Sequence, residues 1–196
     1  MKKIIALIMV AVLMLTFAAC GGNTDNNGDT NKEETPAVTI ASPVELLNTV
    51  WASYTDDEKF PVAGGDMTEA NMNMEGPGVY GLEDAEGFAN ITHFPADSMA
   101  NIDAAATLMH MMNANTFTGA AYHVVDADMA ALVTAVKDSI MATQWMCGFP
   151  EKLVIVTVGE YMVSYFGNAD LVSTFTAKLQ AAYPSAEIAV DEPIVA

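Results

Sequence analysis

Few residues in this chain could do chemistry, and they are scattered. There are two cysteines, Cys20 and Cys147, three histidines, His93, His110 and His123, and 14 methionines. Cys147 sits in "QWMCGFP" with no C-x-x-C neighbour, so it predicts no redox pair. Its place between Trp145 and Phe149 predicts a buried structural thiol whose reactivity is blunted by apolar surroundings. His110 stands in "LMHMMN" among Met109, Met111 and Met112, and thioethers beside an imidazole suit a soft ion such as Cu(I). Read as part of a helix, successive residues there point about 100 degrees apart and cannot converge on one ion. Met67, Met72 and Met74 form a second loose group whose spacing fits gap-filling better than ligation. No G-x-S-x-G, H-E-x-x-H, G-x-G-x-x-G or phosphate loop occurs. The residues therefore imply no catalytic set, no metal site and no cofactor.

Cys20 differs from all of these because of what surrounds it. Lys2 and Lys3 open the chain, residues 4–17 carry no charge, and the small residues Ala18 and Ala19 lead into Cys20, Gly21 and Gly22. A cationic start, a short apolar run and small residues are the parts of an export signal. The uncharged stretch is shorter than the ~20 residues a membrane span needs. Phe17-Ala18-Ala19-Cys20-Gly21-Gly22 resembles the lipobox of bacterial lipoproteins, with Phe17 where that motif usually has Leu. The resemblance implies cleavage between Ala19 and Cys20, a diacylglyceryl group on the Cys20 thiol, and residence on the outer face of the cytoplasmic membrane. Two acyl chains, at about 0.8 kcal/mol for each buried methylene, make a stable anchor.

Without residues 1–19 the chain keeps five lysines and no arginine against 25 acids, a formal charge near −20. Nucleic acids are bound largely through cations that displace phosphate counterions, so nucleic acid is excluded as a partner. Anionic headgroups are disfavoured equally. The membrane is then a partner only through the lipid at Cys20, leaving an unknown protein or small ligand as the second partner, and the acid excess reads as a solvated surface. The acidic cluster Asp56-Asp57-Glu58 lacks the donor alternation of a calcium loop.

Residues 20–40 are mostly Gly, Asn, Asp, Thr and Glu and read as a disordered tether spanning about 20–25 Å. Residues 41–196 read as one domain. Ser42, Pro43 and Glu45 announce a helix by a capping serine, a proline in the first turn and a capping-box glutamate. Residues 55–81 read as a long irregular connection, with glycines and prolines breaking any period. "FANITHF", 88–94, alternates like a strand, and 97–115 reads as a helix. After these come a strand at 117–125, a helix that Asp126 caps and that runs to 143, and strands at 152–158 and 160–166 joined across Gly159. A helix starting at Asn168 and a strand at 185–190 complete the chain. This β-α-β-β-α-β order predicts an α+β, two-layer sandwich of ferredoxin-like type, with helices on one face of a mainly antiparallel sheet.

The signal together with "MNANTFTGAAYHV", "TQWMCGFPEKLVIVTVGEYMVSYFG" and "FTAKLQAAYP" resembles a group of uncharacterised lipoproteins from gut clostridia. Some of these are labelled bacteriocin transport accessory proteins. The chain is also similar to a broader lipoprotein domain family of unknown function. The likeness covers residues 42–184 and implies location and fold but no catalytic residue. The tether, the acidic surface and the lack of catalytic signatures predict a membrane-anchored, non-enzymatic binding or accessory module beside a membrane machine. The competing expectation is a thiol-redox or copper-handling lipoprotein that uses Cys147 or the His110 and methionine cluster.

Overall fold

The computed structural model describes residues 39–66 and 68–195. The signal at 1–19, the cleavage point at Ala19, the lipidation site Cys20, Met67 and nearly all of the tether lie outside the described residues. The compact unit spans residues 34–196. Both hydrophobic cores lie within it, so it has the makings of a domain that folds on its own.

Its centre is a seven-stranded sheet in the order β1-β3-β4-β6-β5-β7, with β2 also paired to β3. The strands are β1 (Val62–Ala63), β2 (Gly78–Tyr80), β3 (Ile102–His110), β4 (Phe117–Val124), β5 (Lys152–Val158), β6 (Tyr161–Gly167) and β7 (Glu187–Pro193). Every pairing is antiparallel, as an α+β domain requires. Among the described residues four helices cover the sheet: α1 (Pro43–Ala52), α2 (Ala85–Thr92), α3 (Met129–Met141) and α4 (Ala169–Ala182).

The helices do not share a face. Leu46, Leu47, Val50 and Trp51 of α1 and Val172, Phe175 and Leu179 of α4 pack on Ala106, Leu108, Val154, Val156 and Val163. Phe88 of α2 and Leu132, Val133, Val136 and Ile140 of α3 pack on Ala105, Tyr122, Leu153, Ile155 and Met162. Alternate residues of β5 thus enter opposite cores, and the molecule has three layers, which corrects the two-layer expectation. The cause is topological. The β4-α3-β5 and β6-α4-β7 crossovers step in the same direction across the sheet, yet they start from antiparallel strands. Two right-handed crossovers of that kind must put their helices on opposite sides. The chain order β-α-β-β-α-β is present, but β7 pairs with β5 at the edge while β3 takes the place beside β4.

Two elements correct the sequence reading. Residues 88–94 belong mainly to α2, which Asp84 caps by accepting the Gly87 N–H at 2.9 Å and which His93 ends in a left-handed conformation. Residues 97–115 hold a short 3-10 turn and then β3, not a helix. Ala, Leu and Met favour helix locally. A strand buried on both faces loses its polar alternation, so nothing in the pattern marked it as extended.

Most of the remaining local signals carry through. Ser42 Oγ accepts the Glu45 N–H, and Glu45 in turn accepts the Ala41 N–H at 2.8 Å. Asn168 caps α4, while α3 is capped by Asp128 rather than Asp126. The 55–81 stretch, expected as an irregular connection, contributes β1 and β2 to the sheet, and the chain between them is packed down by close backbone approach. A Cβ on Gly78 would meet the Asn71 carbonyl oxygen at 2.6 Å, and the buried Thr107 hydroxyl accepts the Gly65 N–H at 2.9 Å.

Candidate functional site

The residues expected to matter divide between the two ends of the sheet. At the end where β6 finishes, the segment after α3 bends sharply. Cys147 has φ 61° and Gly148 φ 138°, a left-handed pair that the chain holds only with help from outside. Two asparagines supply that help. Asn113 Nδ2 donates to the Cys147 carbonyl at 2.8 Å, and Asn115 Nδ2 donates to the Met146 and Gly148 carbonyls at 2.9 and 3.0 Å. Asn113 also caps the short turn 114–116 by accepting the Asn115 N–H at 2.9 Å. Trp145 anchors the base of the bend against His93 and Phe166, with ring centroids 4.9 and 5.1 Å away.

These bonds bring two loops together and leave their large apolar side chains in solvent. Met112 is 78% exposed, Met146 76%, Phe149 65% and Met111 45%. Cys147 is exposed as well, which corrects the expectation of a buried thiol. The clamp turns the backbone so that aromatic neighbours in sequence do not become its packing partners. Neither 111–122 nor 139–150 contains Asp, Glu, Lys or Arg.

Beside this surface lies a pocket of about 180 Å³ lined by the two asparagines, Phe149, Glu151 and Asn168. Glu151 Oε2 accepts the Ala169 N–H at 2.8 Å. The positive end of α4, which would otherwise attract an anion, is therefore already occupied by a carboxylate.

The opposite end of the sheet is polar. His123 Nδ1 lies 2.6 Å from Asp103 and its Nε2 lies 3.9 Å from Glu160. The Tyr161 hydroxyl donates to the Ile40 carbonyl at 3.1 Å, which ties Ile40, just ahead of α1, beside the β5–β6 turn. β6 runs from Tyr161 to Gly167, and seven residues at about 3.3 Å each separate the two ends by roughly 20 Å.

The other candidates stay apart. His110 lies at the end of β3, stacked on Phe60 at 5.7 Å with the rings 9° from parallel, and its Nδ1 accepts the Met112 N–H at 3.2 Å. Met109 is buried within β3, while Met111 and Met112 lie exposed beyond the strand's end at His110, so the cluster is split by the end of the strand and not by helical rotation. Met72 and Met74 are exposed in the 64–81 loop. Burial between aromatic rings lowers the His93 pKa. Asp66 organises that same loop. It accepts from the Thr68 hydroxyl and amide, Asn71 Nδ2 and the Gly81 N–H, which holds its carboxyl well below the usual range. In the acidic cluster, Glu58 binds Lys178 at 2.7 Å.

Among the described residues no histidine bonds a serine, threonine or cysteine side chain, so no nucleophile and base are paired. Nor do three or more His, Cys, Asp or Glu among them gather where they could hold a metal. No helix among them is long and apolar enough to cross a membrane. No family model, curated protein or solved structure matches this chain. Fold and surface together define an α+β domain with a polar end around His123 and Ile40 and, opposite, an end that exposes the apolar side chains of two loops. Sequence reasoning read the stretch around Cys147 as the setting of a buried thiol and missed Asn113 and Asn115, whose only signal was the run "MNANT".

Proposed function

We propose that this protein is an extracytoplasmic lipoprotein, held at the outer face of the membrane by acylated Cys20, whose domain is a non-enzymatic binding or accessory module. One observation carries the reading: the apolar surface at Met112, Met146 and Phe149 is exposed at the end of the sheet away from Ile40. Exposed apolar patches rimmed by polar residues are surfaces for partners.

The test has two arms. The mature N-terminal peptide isolated from membranes should carry a diacylglyceryl group on Cys20, and Cys20→Ala should release the protein from the membrane fraction. An unmodified Cys20 or an intact leader overturns the anchor. Cross-linking from position 149 in cells should capture a discrete partner, and capture equal to that from the exposed Ile188 overturns the binding surface.

The second reading, thiol chemistry at Cys147, draws on the exposure of that residue. It requires a disulfide or sulfenate at Cys147 that turns over with a reductant in the native protein. A thiol that stays reduced in isolated cells ends it.

A further inference from the structure

We propose that the apolar end of the domain binds a cationic amphipathic peptide segment, seating its apolar face on Met111, Met112, Met146 and Phe149. This names the partner class of the surface above and rests on its being a binding surface.

The argument is one of charge and side-chain type. The chain carries 25 acids against seven lysines. Such a field draws cations toward the molecule and repels other acidic chains. A second copy of this protein is repelled in the same way, and so is an anionic lipid surface. Within the acidic field the stretches 111–122 and 139–150 carry no charge, while Asp138 in the last turns of α3, Glu151 just before β5 and Asp170 in the first turn of α4 lie near them. Lys137 and Lys152, next in sequence to two of these acids, are paired with Glu192 and Asp191. A segment with one apolar and one cationic face satisfies both parts, its apolar side chains covering the methionines and its lysines meeting the border acids.

The choice of methionine points the same way. Three of the four exposed anchors are unbranched and polarisable, and such side chains repack around different apolar partners where Leu or Ile would demand one shape. An amphipathic helix laid on a methionine-rich surface is an established mode of recognition. The base beneath these flexible tips is rigid: the turn that carries Met146 and Phe149 is held through three consecutive carbonyls by Asn113 and Asn115. Flexibility is thus confined to the side chains that must adapt, and little backbone entropy is lost on binding.

The experiment titrates the folded unit, residues 34–196, with a 14-residue peptide of leucine and lysine in helical repeat, followed by calorimetry. Three controls are a leucine and glutamate peptide, a lysine peptide of the same composition with its pattern scrambled, and the Ile188→Ser domain. The expected result is saturable one-to-one binding of the patterned lysine peptide, weakened at least tenfold by Met112→Ser, Met146→Ser and Phe149→Ser together and unchanged by Ile188→Ser. All of these side chains are exposed, and circular dichroism confirms that each variant is folded. A photoactivatable group on the peptide's apolar face should label residues 111–116 and 144–149.

Equal binding of the scrambled peptide reduces the effect to bulk charge and overturns the proposal. Binding that survives the triple substitution does the same, as does labelling elsewhere. So does concentration-dependent dimerisation that the triple substitution abolishes, since the occupant is then a second copy. The measurement uses no lipid anchor, so a failed anchor and a failed peptide site are distinguishable.

Discussion

Asn115→Ala removes one side chain and strips two of the three hydrogen bonds that hold the 146–148 turn, those to the Met146 and Gly148 carbonyls. A typical hydrogen bond contributes about 0.5–1.5 kcal/mol net. These two are near solvent, so water partly replaces them, and the lower half of that range gives about 1–2 kcal/mol together. The turn also contains a non-glycine left-handed residue, Cys147 at φ 61°, which costs about 1–2 kcal/mol and favours opening once the clamp is weakened. The local opening equilibrium should shift about 5- to 30-fold toward the open form, since 1.4 kcal/mol is a factor of ten. The core remains untouched, so the global transition should move little. Hydrogen exchange of the amides at 146–149 reads this directly, and peptide affinity should fall because Met146 and Phe149 are no longer held in place. In the Asn115→Ala background, Cys147→Gly should recover part of the exchange protection by relieving the backbone. If exchange at 146–149 is unchanged in Asn115→Ala, the clamp is not what orders this surface and the argument for a rigid base fails.

Phe175 is fully buried between α4 and the sheet, against Phe117 and Tyr165, so Phe175→Ala should cost about 3–5 kcal/mol in urea unfolding. His93 is held neutral by burial, its pKa lowered in the fold. The unfolded chain therefore binds the extra proton first, and stability should be complete above about pH 6.5 and fall as pH drops through that value; His93→Asn, which tolerates the left-handed backbone, should flatten that slope. Glu58 is held down at about 2 by its hydrogen bonds from Lys178 and Thr55. Its contribution should be present above its unfolded value of about 4.5 and be lost as pH falls toward 2, a dependence that Glu58→Gln should remove from a chemical denaturation series. Cys147, being exposed, should react with an aromatic disulfide reagent in the native protein as fast as in urea, and a native-state delay would refute its placement.

What could be read from the chain without its fold was whatever a few neighbouring residues settle. Ser42 and Asn168 cap their helices because the hydroxyl or amide oxygen lies within reach of N–H groups two or three positions on. β5 and β6 face each other because only Gly159 and Glu160 separate two strongly extended runs. The charge balance, and with it the exclusion of nucleic acid, needs no coordinates at all. The rest depended on contacts between residues far apart in sequence. Residues 102–110 look helical alone and become a strand because β2 and β4 flank them and helices cover both sides. α3 and α4 lie on opposite faces because β7 adds beyond β5, a choice no local pattern records. Cys147 has the same aromatic neighbours in either reading, yet it is exposed because amides about 30 residues away bind the carbonyls around it. Local chemistry decides how a segment folds where its partners lie within a turn or a hairpin. Burial, the side of the sheet a helix takes, and the surface left uncovered are properties of the assembled layers.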